Sequence, residues 1–183
     1  IGRMKTVVGM AVGFTTMMRV FQSGSVRKIE LMVESFLPKL PGVRTQSQFD
    51  ALHTEFCLKF MKKIALAKPD RNGETKVSYG QAGKVLDVAL KACVDFCRLP
   101  DLTTADRIGP FLHVGVDSLI LAAIKEREKG VFKVSTLAEI DRDTYLALQD
   151  AAVRHIDDEF QGKITPIMYD NIIWRREGNR AGM

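Results

Sequence analysis

Apolar positions recur at three- and four-residue intervals along most of this chain, so the predicted elements are helices. Over 24–37, Ile29, Met32, Val33 and Phe36 make one face. Ser23 or Ser25 can cap that helix, and Pro38 with Pro41-Gly42 stops it. Over 47–67, Phe49, Leu52, Phe56, Phe60 and Ile64 form the next stripe, with Ser47 as the cap and Lys59, Lys62 and Lys63 off the stripe. Over 77–98, Ser78 is the cap and Val85, Val88, Ala89, Ala92, Cys93 and Phe96 face inward. Lys84, Asp87, Lys91, Asp95 and Arg98 alternate in sign on the other side, the pattern of a solvated outer face.

The stretch 112–128 differs. Val114, Val116 and the run 119–124 are apolar nearly all round, which predicts a central buried helix ending at Gly130. Over 142–160 a further stripe carries Tyr145, Leu148, Ala152, Ile156 and Phe160 behind Asp141 as cap. A short helix over 166–175 has Thr165 as cap and Pro166 in its first turn. The breaks at 38–45, 68–74, 99–104 and 130–135 are all short. The fold class is therefore all-α. It is an irregular bundle of about six helices around the buried helix at 112–128. One helical domain spans 1–183, with about 20 N-terminal and about 8 C-terminal residues at its periphery.

Composition agrees with a packed core: of 183 residues, 46% are hydrophobic and 27% charged, with 6 prolines. Cys57, Cys93 and Cys97 are an odd number at no disulfide spacing. They read as small buried hydrophobes in a reducing, cytoplasmic setting. The apolar run 114–124 contains Asp117 and is too short to cross a bilayer, so no membrane partner is expected. Residues 1–21 place Arg3 and Lys5 ahead of an apolar run, like the start of a signal segment. Arg19 interrupts that pattern, and a helix packed on the core is the preferred reading.

Charge divides the chain. Lysine and arginine outnumber acids 16 to 8 in residues 1–100 and trail them 11 to 14 in the remainder. A basic half can meet an anionic partner, and Lys59, Lys62, Lys63, Lys68, Arg71 and Lys76 are the nucleic-acid-binding candidates. Solvated faces of ordinary helices explain the same charges. Apolar surface at 4–18 and at Ile172-Ile173-Trp174 points instead to a protein partner or self-association.

Signatures of catalysis are sparse. No Gly-rich phosphate loop, G-x-S-x-G or H-E-x-x-H occurs, and no βαβ alternation, so no cofactor is expected. No metal is expected either. Cys93 and Cys97 lack two further ligands. His155, Asp158 and Glu159 share a helical face in an order reversed from Glu-x-x-His, with no second copy.

One stretch carries an enzymatic resemblance. Arg107-Ile108-Gly109-Pro110-Phe111-Leu112-His113 has the Arg-x5-His spacing and resembles the motif of the HEPN family. That resemblance implies an all-helical, metal-independent ribonuclease in which Arg107 and His113 act on the RNA phosphodiester across two subunits. Ile108 stands where the family often has a polar residue, and Gly109-Pro110 interrupts the segment. Alternatively, His113 caps the helix at 112–128 and contacts Asp117. The preferred reading of the whole chain is a non-enzymatic binding or accessory protein. A nucleic-acid-binding module and the HEPN-like ribonuclease are the alternatives.

Overall fold

The computed structural model describes residues 2–13, 16–70 and 73–180, with backbone only at 16, 17 and 177–180. Among the described residues eight α-helices follow one another: α1 Gly2–Gly13, α2 Ser25–Phe36, α3 Gln46–Lys63, α4 Tyr79–Leu90, α5 Leu102–Ile108, α6 Ser118–Arg127, α7 Arg142–Phe160 and α8 Pro166–Arg180. Among the described residues extended pairing is limited to two isolated bridges, Phe21 with Leu66 and Ala65 with Lys76. No described helix is long and apolar enough to cross a membrane.

The predicted helices are found, with instructive differences at their ends. Helix α7 starts behind Asp141, whose carboxylate accepts from the Thr144 amide. Helix α4 starts with a full capping box: Ser78 accepts from the Gln81 amide and Gln81 accepts from the Ser78 amide. Helix α3 is capped by Thr45 rather than Ser47. Neither serine caps α2; Gly24, at φ 81°, turns the chain into it. The helix over 77–98 is α-helical only to Leu90 and then widens into a π-helical turn over Lys91–Phe96.

The stretch 112–128 is buried as expected at Val114, Val116, Ile120, Leu121 and Ile124, but it is helical only over Ser118–Arg127. Residues 112–117 run as an extended, buried strip. Buried backbone of this kind needs partners, and side chains provide them. The Gln149 amide grips Val114 from both sides, accepting from its N–H at 2.9 Å and donating to its carbonyl at 3.1 Å. Lys84 donates to the Gly115 carbonyl at 2.9 Å and pairs with Asp117. Asp117 in turn caps α6, accepting from the amides of Leu119 and Ile120.

Helix α4 is the most enclosed element, packed by α1, α3 and α7. Its small residues let neighbours approach on several sides. This corrects the outer face drawn for it from sequence: Asp87 is 2% exposed. At Gly83 an added Cβ would lie 2.6 Å from the Tyr145 ring. At Gly80 it would lie 2.6 Å from Ile140 Cβ and 2.8 Å from the Leu137 carbonyl oxygen.

Helix propensity alone makes alanine about 1 kcal/mol better than glycine in a helix interior. Close approach reverses that sign at α4. Gly80→Ala and Gly83→Ala should each destabilise by about 1–3 kcal/mol. Gly9→Ala on α1 meets only Glu30 at an ordinary 3.7 Å and should stabilise. Urea unfolding of the three variants checks this; stabilisation at Gly83 would show that α4 is not held so closely to Tyr145.

Candidate functional site: a buried imidazole, carboxylate and phenol cluster

Four separate pieces of chain bring polar side chains to one point in the core. Helix α3 contributes His53, α4 contributes Asp87, the extended strip contributes His113 and α7 contributes Tyr145. Their exposures are 0%, 2%, 5% and 0%. Tyr145 lies at the centre. Its hydroxyl donates to Asp87 Oδ2 at 2.7 Å and lies 3.2 Å from both His53 Nε2 and His113 Nδ1. His53 Nε2 is also 3.0 Å from Asp87 Oδ1. The two imidazoles lie 4.6 Å apart between centroids, and His53 stacks on Tyr145.

An outer ring completes the cluster. Asp50 faces His113 Nε2 at 2.9 Å and also accepts from Gln46, whose amide bonds the Phe111 carbonyl. Cys57 lies 3.6 Å from His53 Nδ1, one helical turn along α3. Burial, reinforced by the charge of Asp87, pushes the Tyr145 hydroxyl well above its ordinary pKa. Burial and then Asp87 do the same to the Cys57 thiol. His113 moves the other way: burial and the neighbouring His53 lower it, against its hydrogen bond to the Asp50 carboxylate. Burial opposes ionisation of Asp50, but the hydrogen bonds of His113 and Gln46 outweigh it and hold Asp50 below the ordinary value.

His113 and Asp50 also reach the wall of a cavity of about 460 Å³, together with Gln149, Asp150 and Arg154. The cluster meets this cavity at His113, while His53, Asp87 and Tyr145 lie behind it.

A second, smaller group repeats the pattern. His155 lies 3.1 Å from the Tyr169 hydroxyl and 3.0 Å from Glu128, which also pairs with Arg154. Asp158 and Glu159 are not its partners; Glu159 pairs with Arg127 and Arg176.

Arg107 and His113 of the Arg-x5-His segment have no partner in common. The Arg107 guanidinium donates to the carbonyls of Val43 and Pro41, both at 3.1 Å, tying α5 to the turn after α2. His113 bonds Asp50 and Tyr145, and it does not cap α6. Cys93 is buried and Cys97 half-buried, away from any described metal-type cluster. The lysine candidates scatter in role. Lys59, Lys62, Lys63 and Lys68 are exposed, Lys76 pairs with Glu74, and Arg71 lies outside the described residues. Comparison with known protein families, curated proteins and solved structures finds no match to this chain.

Sequence reasoning passed over His53 and assigned Asp87 to a solvated face. The available signal was a histidine and a cysteine, His53 and Cys57, set among the phenylalanines of the α3 stripe. Polar groups on an apolar stripe must find partners inside the core.

The histidines set the acid response. His113 and His155 both have folded pKa values below the ordinary 6.5, with burial as the leading cause. Below 6.5 the unfolded chain therefore binds more protons than the folded one, and stability falls as pH falls. The urea midpoint should hold near neutrality and drop between about pH 7 and pH 5.5. One histidine can contribute at most about 1.4 kcal/mol per pH unit. His113→Gln should flatten that slope; an equally steep slope in the variant would assign the response elsewhere.

Proposed function

We infer that this chain is a non-enzymatic helical binding protein that engages the phosphate backbone of nucleic acid through a basic groove between α2 and α3. The observation that carries this reading is a set of three lysines around one groove. Lys28 from α2 and Lys59 and Lys63 from α3 line an open groove of about 540 Å³ with Leu31, Met32 and Ser35. None of the three lysines is within ion-pair distance of an acid among the described residues, whereas Arg27 pairs with Glu30 and Glu34, Lys39 with Glu55, and Lys76 with Glu74.

Physical chemistry supports a polyanion as the occupant. Lysines at i and i+4 on α3 project together, and Lys28 faces them across the groove. Glu55, one turn before Lys59, is ion-paired with Lys39 and offsets only part of the Lys59 charge, so the groove keeps a net positive field that its apolar walls concentrate. Phosphate groups need such point charges rather than a particular fold. Lys62 follows on the same exposed end of α3. A binding role also fits the uses of Arg107 and His113, whose polar atoms are engaged in tying the fold together.

Fluorescence anisotropy with a labelled single-stranded oligonucleotide tests the reading. Binding should weaken steeply with salt, with the logarithm of the association constant linear in the logarithm of salt concentration. Lys59→Glu with Lys63→Glu should weaken binding more than ten-fold and lower the salt slope by roughly 0.7 per lost phosphate contact. Lys76→Glu, whose lysine is already paired, should change little. Equal affinity in the α3 double variant and the wild type would remove the groove as the site.

A further inference from the structure

We propose that the buried cluster of His53, Asp87, His113 and Tyr145 is a site for one divalent transition-metal ion of the zinc type. Its donors are His53 Nε2, His113 Nδ1, an Asp87 carboxylate oxygen and the Tyr145 oxygen. The donor atoms of His53, Asp87 and His113 all lie within 4.8 Å of one another.

Spacing is the first ground. Four nitrogen and oxygen donors around an ion at bonds of about 2.0–2.1 Å stand roughly 3.3 Å apart. Here His53 Nε2 is 3.0 Å from Asp87 and 3.2 Å from Tyr145. Tyr145 is 2.7 Å from Asp87 and 3.2 Å from His113 Nδ1. Small outward movements of four side chains convert this hydrogen-bonded cluster into a tetrahedral N2O2 set.

Charge is the second ground. A carboxylate taken out of water needs a compensating cation. Among the described residues Asp87 has no lysine or arginine in contact, and its one ion-pair partner, His53 at 3.0 Å, balances it only when that imidazole carries a second proton. Its helix carries Lys84 and the following turn Lys91, but Lys84 pairs with Asp117 and Lys91 with Asp170.

Proton accounting is the third ground. The one hydroxyl proton of Tyr145 goes to Asp87. His113 then faces an acceptor at each nitrogen: the Tyr145 oxygen at Nδ1 and the Asp50 carboxylate at Nε2. A neutral imidazole has one N–H and can serve only one of them. A cation between His113 Nδ1 and Tyr145 removes that conflict and leaves the Nε2 proton for Asp50.

The outer ring fits the same assignment. Metal-bound imidazoles commonly donate their other N–H to a fixed acceptor. Asp50 receives His113 Nε2, and Cys57 lies against His53 Nδ1. His113 and Asp50 stand between the donor set and an open cavity, so that side of the cluster is the one nearest to an entering ion. Two nitrogens and two oxygens suit zinc(II), with cobalt(II) as its spectroscopic substitute.

The test strips the full chain with a chelator and titrates it with cobalt(II). One cobalt per chain should bind, with the visible bands of a four-coordinate site, and zinc(II) should displace it. Asp50→Asn keeps every ligand, lies at a residue about a third exposed, and should weaken cobalt binding about 10- to 100-fold. Asp87→Asn and His113→Gln should abolish the bands, while His155→Gln, in the other buried group, should leave them unchanged. A folded wild-type chain that takes up no stoichiometric cobalt or zinc overturns the proposal, as does binding indifferent to His113→Gln. Where a core variant fails to fold, nitrogen NMR of the wild-type imidazoles decides. Zinc should move His53 Nε2 and His113 Nδ1 into the metal-bound range. A doubly protonated His113 at saturating zinc would show that a proton balances Asp87, and would overturn the site.

Discussion

The structure turns on one carboxylate held out of water. Asp87 is 2% exposed, and its contacts are the Tyr145 hydroxyl and His53 rather than a lysine or arginine. An ionised group in that position is tolerated only where donors converge on it. Convergence here means that α3, α4 and α7 must meet in one register, with the strip at 112–117 beside them. Apolar packing alone tolerates a helix that slides or rotates slightly. A directed set of hydrogen bonds from three helices does not. The enclosed position of α4 follows, because Asp87 can be reached from several sides only if its helix is small-sided there, as it is at Gly80 and Gly83.

The same device recurs. All three histidines of the chain are buried, and each joins a tyrosine to a carboxylate. His53 joins Tyr145 and Asp87, His113 joins Tyr145 and Asp50, and His155 joins Tyr169 and Glu128. The third set ties α7 to α8 and to the end of α6. Asp117 works beside it, accepting from the α6 amides and from the Trp174 indole while pairing with Lys84. These junctions thus contain polar chemistry where an average core would place methyl and phenyl groups.

Helix existence was legible in the sequence because periodicity reports it directly: the stripes at Phe49, Phe56 and Phe60 and at Tyr145, Leu148 and Ile156 are core faces in the structure. Caps were legible where Ser78, Asp141 and Thr165 precede their helices. Two things were not. The apolar run at 112–117 looks helical by composition, yet it is extended because Gln149 and Lys84, distant in sequence, satisfy its backbone. Asp87 alternates in sign with Lys84 and Lys91, so local spacing assigns it to solvent. Its real partners lie 34 and 58 residues away. Local charge pairing and long-range burial leave the same mark in a sequence, and here the second prevailed. The small residues of α4 were the available warning, since a helix with such a thin outer face can be covered there.

That arrangement carries an energetic implication. Replacing a buried polar or ionic network by apolar side chains of matching volume is often neutral or stabilising, whereas removing one member is costly. Stability alone therefore does not call for polar side chains at His53, Asp87, His113 and Tyr145. What the polar cluster adds is directional. It fixes the mutual rotation of three helices, and it places nitrogen and oxygen donors about 3 Å apart beneath a cavity. Helix α3 transmits the first effect outward: residues 53, 57 and 60 point into the core, while Lys59 and Lys63 stand on the exposed side. Pinning His53 pins the rotation of α3, and with it the direction in which the two lysines face Lys28. The interior cluster and the basic groove are two faces of one helix, and the rotational freedom lost at the first is precision gained at the second.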